Sequence, residues 1–242
     1  MPQKKALGKA VDVLLAGYKS KITGFGINEF LETGVDPFRF TTNVSIWGLK
    51  SAIRKEIEHK IEMTLENLVG DFHENYLGNV FHVPTNTRWV MIPEGDIPGI
   101  DIANHESKIY LQIKSKHNSM NSSSSKKLAQ ELGDLAEKLP EATVGCAWVV
   151  ATQKRKAIGE NTIAEVGVCY KGNKVYEYIT GEKDELNKVL EELLVQIPNK
   201  TRGTNFDELL NAAAERVTTS LVQLAEKSKK SPIEVVTSRS ID

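Results

Sequence analysis

The chain has few of the residues and segments that define several protein classes. It contains two cysteines among 242 residues, Cys146 and Cys169, and no CxxC pair. Two cysteines make no disulfide framework, and the five histidines have no zinc-ligand spacing with them. No apolar run approaches the ~20 residues of a membrane span, and Asp12 interrupts the short apolar run near the N-terminus, which argues against a signal peptide. We therefore expect a protein of the reducing cytoplasm with no membrane contact.

An excess of charge of one sign is also missing. The formal net charge is −1, from 31 Lys and Arg against 32 Asp and Glu. This argues against a general cationic coat for nucleic acid, but it is compatible with a local basic cleft, because affinity depends on the lysines that touch phosphate. No GxGxxG, P-loop or GxSxG motif occurs, so nucleotide-binding and serine-hydrolase functions have no support.

The sequence pattern divides the chain into three expected segments. Residues 1–46 begin basic and become rich in glycine and aromatics, which predicts a short helix followed by irregular structure. Residues 47–180 are expected to form the core, because they include helical periods and a near-continuous apolar run of the kind that forms a central strand. Residues 181–242 predict a helical extension packed on that core. The combination predicts an α/β fold with a mixed central sheet flanked by helices.

The elements of this fold follow from residue spacing. Apolar residues at helical spacing predict a helix over 47–69 that Gly70 ends, and a second helix over 71–77. A serine run provides N-cap residues for a further helix over 123–139. The remaining expected elements are strands at 80–83, 88–92 and 142–152, a hairpin of 163–170 with 174–179, and helices over 183–196 and 205–225.

A β-hairpin is expected in the middle of the core. The polar turn at residues 104–107 lies between two apolar runs, 99–103 and 108–114, that have the length of strands. The tightest pairing across this turn places Ala103 opposite Lys108. We take this pairing as the expected register.

The expected hairpin places three functional side chains together. Successive side chains of a strand point to opposite faces, so Asp101, Gln112 and Lys114 share one face and the neighbouring isoleucines share the other. A carboxylate, an amide oxygen and an ammonium group on one face are the equipment of a metal-dependent site that cleaves phosphodiesters.

The same residues resemble a known nuclease motif. Gly99-Ile100-Asp101, followed after ten residues by Gln112-Ile113-Lys114, is similar to the PD-(D/E)xK motif, and the predicted flanking helices match the core of that superfamily. The segment KSKHNSMN at 114–121 resembles the strand-end signature of a small family of type II restriction endonucleases that cut GGNCC-type sites. Segments 43–47 and 67–73 are similar to the same group.

The resemblance implies roles for the matching residues. Asp101, Gln112 and the backbone carbonyl of Ile113 would ligate Mg²⁺, and Lys114 would orient or help deprotonate the attacking water. Glu66 on the preceding helix would support the metal ligands or bind a second metal. The DNA-binding residues would be Lys116, His117, Asn118 and Asn121.

The implied activity is that of a site-specific, Mg²⁺-dependent endonuclease that restricts foreign DNA. It would hydrolyse phosphodiester bonds of double-stranded DNA and leave 5′-phosphates. A short palindromic site requires two equivalent active sites, so a homodimer is expected. Two alternatives stay open: a repair, recombination or transposition nuclease of the same fold, and a non-cleaving DNA-binding relative.

Gln112 departs from the motif, which usually has a carboxylate at this position. An amide oxygen can coordinate a cation but carries no charge, so metal binding should be weaker. Three explanations stay open. Gln is the native ligand of a QxK site, a Glu-to-Gln change has inactivated the chain, or the chain is a natural relative that does not cut.

Overall fold

The structure, a computed structural model, describes residues 2–32, 34–116, 120–150 and 156–241. Within these residues, no helix is long and apolar enough to cross a membrane. The helices are α1 (Pro2–Gly24), α2 (Ile27–Glu32), α3 (Pro37–Trp47), α4 (Leu49–Leu77), α5 (Ser122–Lys138), α6 (Glu160–Ala164), α7 (Asn173–Thr180), α8 (Glu185–Lys200), α9 (Phe206–Ser228) and α10 (Pro232–Ile241). The strands are β1 (Phe81–His82), β2 (Thr87–Arg88), β3 (Val90–Met91), β4 (Ile102–Asn104), β5 (Ile109–Lys116), β6 (Thr143–Val150) and β7 (Val168–Lys171).

The chain divides into two compact units. The sheet unit contains Met1–Leu14 and Val69–Lys200, and the helical unit contains Leu15–Leu68 and Thr201–Asp242. Helices α1 and α4 each contribute to both units. These boundaries differ from those of the three predicted segments, because each unit combines parts of the chain that are far apart in sequence.

A mixed five-stranded sheet is the centre of the sheet unit. Its strand order is β3-β4-β5-β6-β7, and β1 pairs separately with β2. Strand β4 is antiparallel to both β3 and β5, whereas β6 is parallel to both of its neighbours. Residues 144–149 of β6 are buried, as expected of an apolar strand that is covered on both faces. The predicted combination of a mixed sheet with helices is confirmed.

Helix α5 covers one face of this sheet and matches the predicted helix to within one residue at each end. Asn121 caps its N-terminus by accepting a hydrogen bond from the backbone N–H of Ser124 at 2.8 Å. Its buried residues Leu128 and Leu132 pack in one apolar cluster with Tyr110 and Trp148 of the sheet. Burial of this face fixes which side chains of β5 point towards α5.

The helical unit overturns the expectation of irregular structure in residues 1–46. This part of the chain forms α1, α2 and α3, and the side chains of Phe30 and Phe40 are fully buried against α4 and α9. Asp36 begins α3 by accepting two backbone N–H groups at 2.9 Å, with Pro37 in the first turn. The glycines and aromatics that suggested irregular structure are helix boundaries and core residues of a helical cluster.

Two other predictions about secondary structure were wrong. Gly70 does not end a helix, because α4 runs unbroken from Leu49 to Leu77. The second arm of the predicted hairpin, 174–179, lies in α7, where Val175, Tyr176 and Ile179 form a buried helical face after Gly172. The apolar residues of this short segment fit both a strand and a helix, and packing selected the helix.

His73, near the end of α4, gives the folded state a pH-dependent stability. Burial lowers the pKa of His73 to about 4 from 6.5. Between these values the unfolded chain binds a proton that the folded chain does not, so stability is present above pH 6.5 and is lost as the pH falls towards 4. We expect the free energy of unfolding to lose about 2.5 kcal/mol from this residue between pH 7 and about pH 4.5. Denaturant unfolding at both pH values, compared with His73→Gln, would measure this loss, and an equal pH dependence in the two proteins would contradict it.

Candidate active site

A tight turn at Gly99 places Asp101 next to the sheet. Gly99 has φ +74°, and a side chain there would overlap Leu128 and Glu131 of α5, so this position requires glycine. The backbone N–H of Asp101 then donates to the carbonyl of Leu111 at 3.0 Å. This backbone hydrogen bond, just before β4 begins, holds Asp101 against β5 and so limits where its carboxylate can lie.

The register of the hairpin differs from the predicted one by two residues. Ala103 pairs with Tyr110 rather than with Lys108. The loop is longer on its second side because Lys108 adopts φ +53° and the buried Asn104 side chain accepts the N–H of Ser107 at 3.1 Å. A shift of two residues leaves every side chain on its original face, so the predicted face is confirmed although the pairing was wrong.

Asp101 and Gln112 are in direct contact. Nε2 of Gln112 lies 2.8 Å from both carboxylate oxygens of Asp101, and the backbone N–H of Ile113 donates to Oδ2 at 2.7 Å. Lys114 follows two residues later on the same face, beside Trp148 of β6. The structure therefore brings together Asp101, Gln112 and Ile113, with Lys114 next along the strand.

The carbonyl of Ile113 points towards the same place. In a β-strand the N–H and C=O of one residue point to the same side, and the N–H of Ile113 points to Asp101. Strand β4 begins at Ile102, so it does not cover this part of β5. The carboxylate of Asp101 and the carbonyl of Ile113 thus meet beside β5, next to the side-chain amide of Gln112, whose NH₂ group faces Asp101.

A residue that sequence reasoning missed, Glu74, completes this group. The last two turns of α4 lie along β5 and β4, with Gly70 facing Ser115 and Gly78 in close contact with Ile102. A side chain at Gly78 would overlap Ile102 and Met91, so glycine permits this close approach. Glu74 lies midway between these two glycines in sequence, and the charges of Asp101 and Lys114 act on its carboxyl group.

The electrostatics of Glu74 agree with this position. Burial and the negative charge of Asp101 raise the pKa of Glu74 to about 7, and the positive charge of Lys114 opposes the increase. A carboxyl group buried beside a second carboxylate and a lysine forms an environment that a cation would stabilise. The sequence did not indicate Glu74, because the predicted helix end at Gly70 placed this residue outside the predicted helix 47–69 that carries Glu66.

The other predicted site residues lie in different places. Glu66 is exposed on the part of α4 that belongs to the helical unit. Lys116 ends β5 opposite Val150. Asn121 uses its side-chain oxygen to cap α5, so a DNA contact by this residue would come from its NH₂ group. His117 and Asn118 lie outside the described residues.

The donor set suits a hard cation. Oxygen ligands from carboxylates, amides and backbone carbonyls are those that Mg²⁺ and Ca²⁺ prefer. Among the residues that the structure describes, no group of three His, Cys, Asp or Glu side chains is placed to hold a metal.

Comparison with protein families defines the class of this chain. The family model for the Eco47II restriction endonuclease matches residues 3–201. The match covers most of the sequence, so the chain belongs to the Eco47II restriction endonuclease family. It is a site-specific DNA endonuclease, as the resemblance of its hairpin implied.

A curated relative supports the same class. The type II restriction enzyme Sau96I of Staphylococcus aureus is 25% identical over 199 residues, an alignment that covers 76% of this chain and 73% of Sau96I. The aligned length includes much more than the short motifs that carried the resemblance. The prediction of a type II restriction endonuclease is therefore confirmed.

Proposed function

We propose that this restriction endonuclease hydrolyses phosphodiester bonds of double-stranded DNA with Mg²⁺ and leaves 5′-phosphates. The observation that carries the proposal is the contact between Asp101 and Gln112 on the face that also presents Lys114. The arrangement supports a PD-(D/E)xK nuclease core in which Gln112 occupies the usual carboxylate position.

The residues present fit a Mg²⁺ ion. Asp101, Gln112 and the carbonyl of Ile113 would hold it, and Glu74 would supply a second carboxylate. Gln112 would have to turn its amide, because its NH₂ group faces Asp101 and only its oxygen can bind a cation. In this orientation the amide donates hydrogen bonds to the carboxylate of Asp101, which a bound cation would replace.

Lys114 and the carboxylates would have different roles in the cleavage reaction. A bound Mg²⁺ would polarise the scissile phosphate and lower the pKa of water. The ammonium of Lys114 orients the attacking water and stabilises the negative charge that develops on the phosphate. Glu74, whose pKa is raised to about 7 by burial and by the charge of Asp101, would give up its proton when a cation binds beside it.

The DNA partner follows from the class and from the end of β5. We propose a short palindromic site of the GGNCC type, recognised by a homodimer with two-fold symmetry. Lys116 and His117 would contact phosphates, and Asn118 or Asn121 would contact the backbone or a base edge. A cytoplasmic location belongs to the same proposal, since the enzyme must reach DNA inside the cell.

Plasmid cleavage tests this function. Supercoiled plasmid incubated with Mg²⁺ should give discrete bands of reproducible size, both with this chain and with Gln112→Glu. A smear or nested products would instead support a repair, recombination or transposition nuclease. No cleavage by either protein would support a non-cleaving DNA-binding relative, and cleavage by the Gln112→Glu variant alone would identify an inactivated chain.

Gln112→Glu is also expected to increase the effect of Mg²⁺ on thermal stability. The substitution replaces a hydrogen bond to Asp101 by a second negative charge, which destabilises the metal-free protein and attracts the cation. We expect the Mg²⁺ concentration that gives the half-maximal increase in Tm to fall about tenfold, which corresponds to about 1.4 kcal/mol.

A matched substitution separates this effect from a general change in charge. Gln223→Glu adds the same charge at an exposed position of α9 and should leave the Mg²⁺ dependence of Tm unchanged. If the unchanged protein and the Gln112→Glu variant respond to the same Mg²⁺ concentration, glutamine is the native, tuned ligand and the expected weakening is wrong.

A further inference from the structure

The last two turns of α4 contain Glu74, on the side of the sheet, and two buried polar residues, His73 and Tyr76, that point in other directions. His73 and Tyr76 are three residues apart and therefore share a face of the helix, on which they are 8% and 1% exposed. Glu74 points about 100° away from His73 around the helix. The direction of Glu74 is thus coupled to the contacts that His73 and Tyr76 make.

These contacts are specific hydrogen bonds to two later helices. Nδ1 of His73 lies 2.9 Å from the hydroxyl of Tyr176 on α7. The hydroxyl of Tyr76 donates to the buried carboxylate of Glu185, at the start of α8, at 2.7 Å. The rings of Tyr76 and Tyr176 stack with centroids 6.0 Å apart. We name these four side chains, His73, Tyr76, Tyr176 and Glu185, the α4 anchor.

The α4 anchor constrains the rotation of the helix more than apolar contacts would. A hydrogen bond requires a defined direction, and a buried polar group that loses its partner is costly, so two such bonds on adjacent turns favour one rotation of α4. Rotation by about 20° around the helix axis would move the Glu74 carboxylate by about 2 Å. A displacement of this size at a catalytic group can cost about a hundredfold in rate.

We infer that the hydroxyls of Tyr76 and Tyr176 position Glu74 for the cleavage reaction through the α4 anchor. The inference rests on the proposed function, in which Glu74 supports the metal ligands. Tyr76 and Tyr176 are positioning residues, because they act through Glu74 and do not touch the reacting atoms. Loss of either hydroxyl leaves the ring packing in place but allows Glu74 to shift relative to Asp101 and Lys114.

Tyr76→Phe and Tyr176→Phe test this role, with Tyr178→Phe as the matched control. Tyr178 lies on the same helix as Tyr176, and its hydrogen bond and ring contact are with Tyr170 of β7 and involve no residue of α4. For the first two variants we expect kcat to fall about tenfold and the Mg²⁺ requirement to rise about fivefold, with KM for DNA unchanged. The control should change neither quantity.

A double-mutant cycle with Glu74→Gln distinguishes positioning from general destabilisation. If the hydroxyl of Tyr76 acts through Glu74, adding Tyr76→Phe to Glu74→Gln should not reduce the Mg²⁺-induced increase in Tm any further. Additive losses in the cycle, or unchanged kinetics in both tyrosine variants, would overturn the inference while leaving the proposed function intact. If Glu74→Gln alone cleaves DNA normally, the role of Glu74 in the proposed function is wrong, whatever the tyrosine variants show.

Discussion

Lys114→Ala will reduce DNA cleavage by about 10²–10³-fold while specific DNA binding stays nearly unchanged. Lys114 shares a face of β5 with Gln112, and its positive charge acts on Glu74. An ammonium group at this position stabilises the attacking water and the charge on the phosphate, and both effects are larger in the transition state than in the bound substrate. Single-turnover cleavage at saturating enzyme, together with DNA binding measured without Mg²⁺, separates the two quantities.

Lys116→Ala is the matched control for this expectation. Lys116 ends the same strand two residues later, and a phosphate contact there would contribute to binding of every DNA sequence. Its loss should weaken binding and lower the salt dependence, with a small effect on the single-turnover rate. Undiminished cleavage by Lys114→Ala, or a loss in rate that follows a loss in binding, would contradict the role assigned to Lys114.

The part of the site that alternation determines could be predicted from the sequence. Whether a side chain of β5 points to α5 or away depends only on parity, and the isoleucines fix that parity by their burial. The register itself depended on the conformation of Lys108 and the side chain of Asn104, which no apolar pattern encodes. The two-residue error therefore moved Asp101 from opposite Tyr110 to opposite Gln112 without changing its face.

The part of the site that depends on tertiary packing could not be predicted. A glycine inside a helix costs about 1 kcal/mol relative to alanine, so Gly70 indicated a helix end. The structure keeps the helix, which packs along the sheet with Gly70 in ordinary contact distance of Ser115 of β5, and Gly78, just after the helix, permits the close approach to Ile102 of β4. The same packing places Glu74 at the site. The carboxylate that the sequence predicts on this helix is Glu66, eight residues earlier.

Glu74→Gln is expected to reduce cleavage by at least about a hundredfold at a fixed Mg²⁺ concentration near neutral pH. The substitution keeps the size and hydrogen-bonding capacity of the side chain but removes the charge that opposes Asp101 and attracts the cation. Since the loss concerns metal binding and the handling of a proton, DNA binding without Mg²⁺ should remain close to that of the unchanged protein. Raising the Mg²⁺ concentration should recover part of the activity.

Glu66→Gln provides the decisive comparison, because it makes the same change on the same helix. Glu74 interacts with Asp101 and Lys114 within the sheet unit, whereas Glu66 belongs to the helical unit. We therefore expect Glu66→Gln to cleave within about threefold of the unchanged protein, as is usual for an exposed substitution away from the chemistry. A large loss for Glu66→Gln with a small loss for Glu74→Gln would return the catalytic role to Glu66 and would show that the close approach of α4 to β4 serves packing alone.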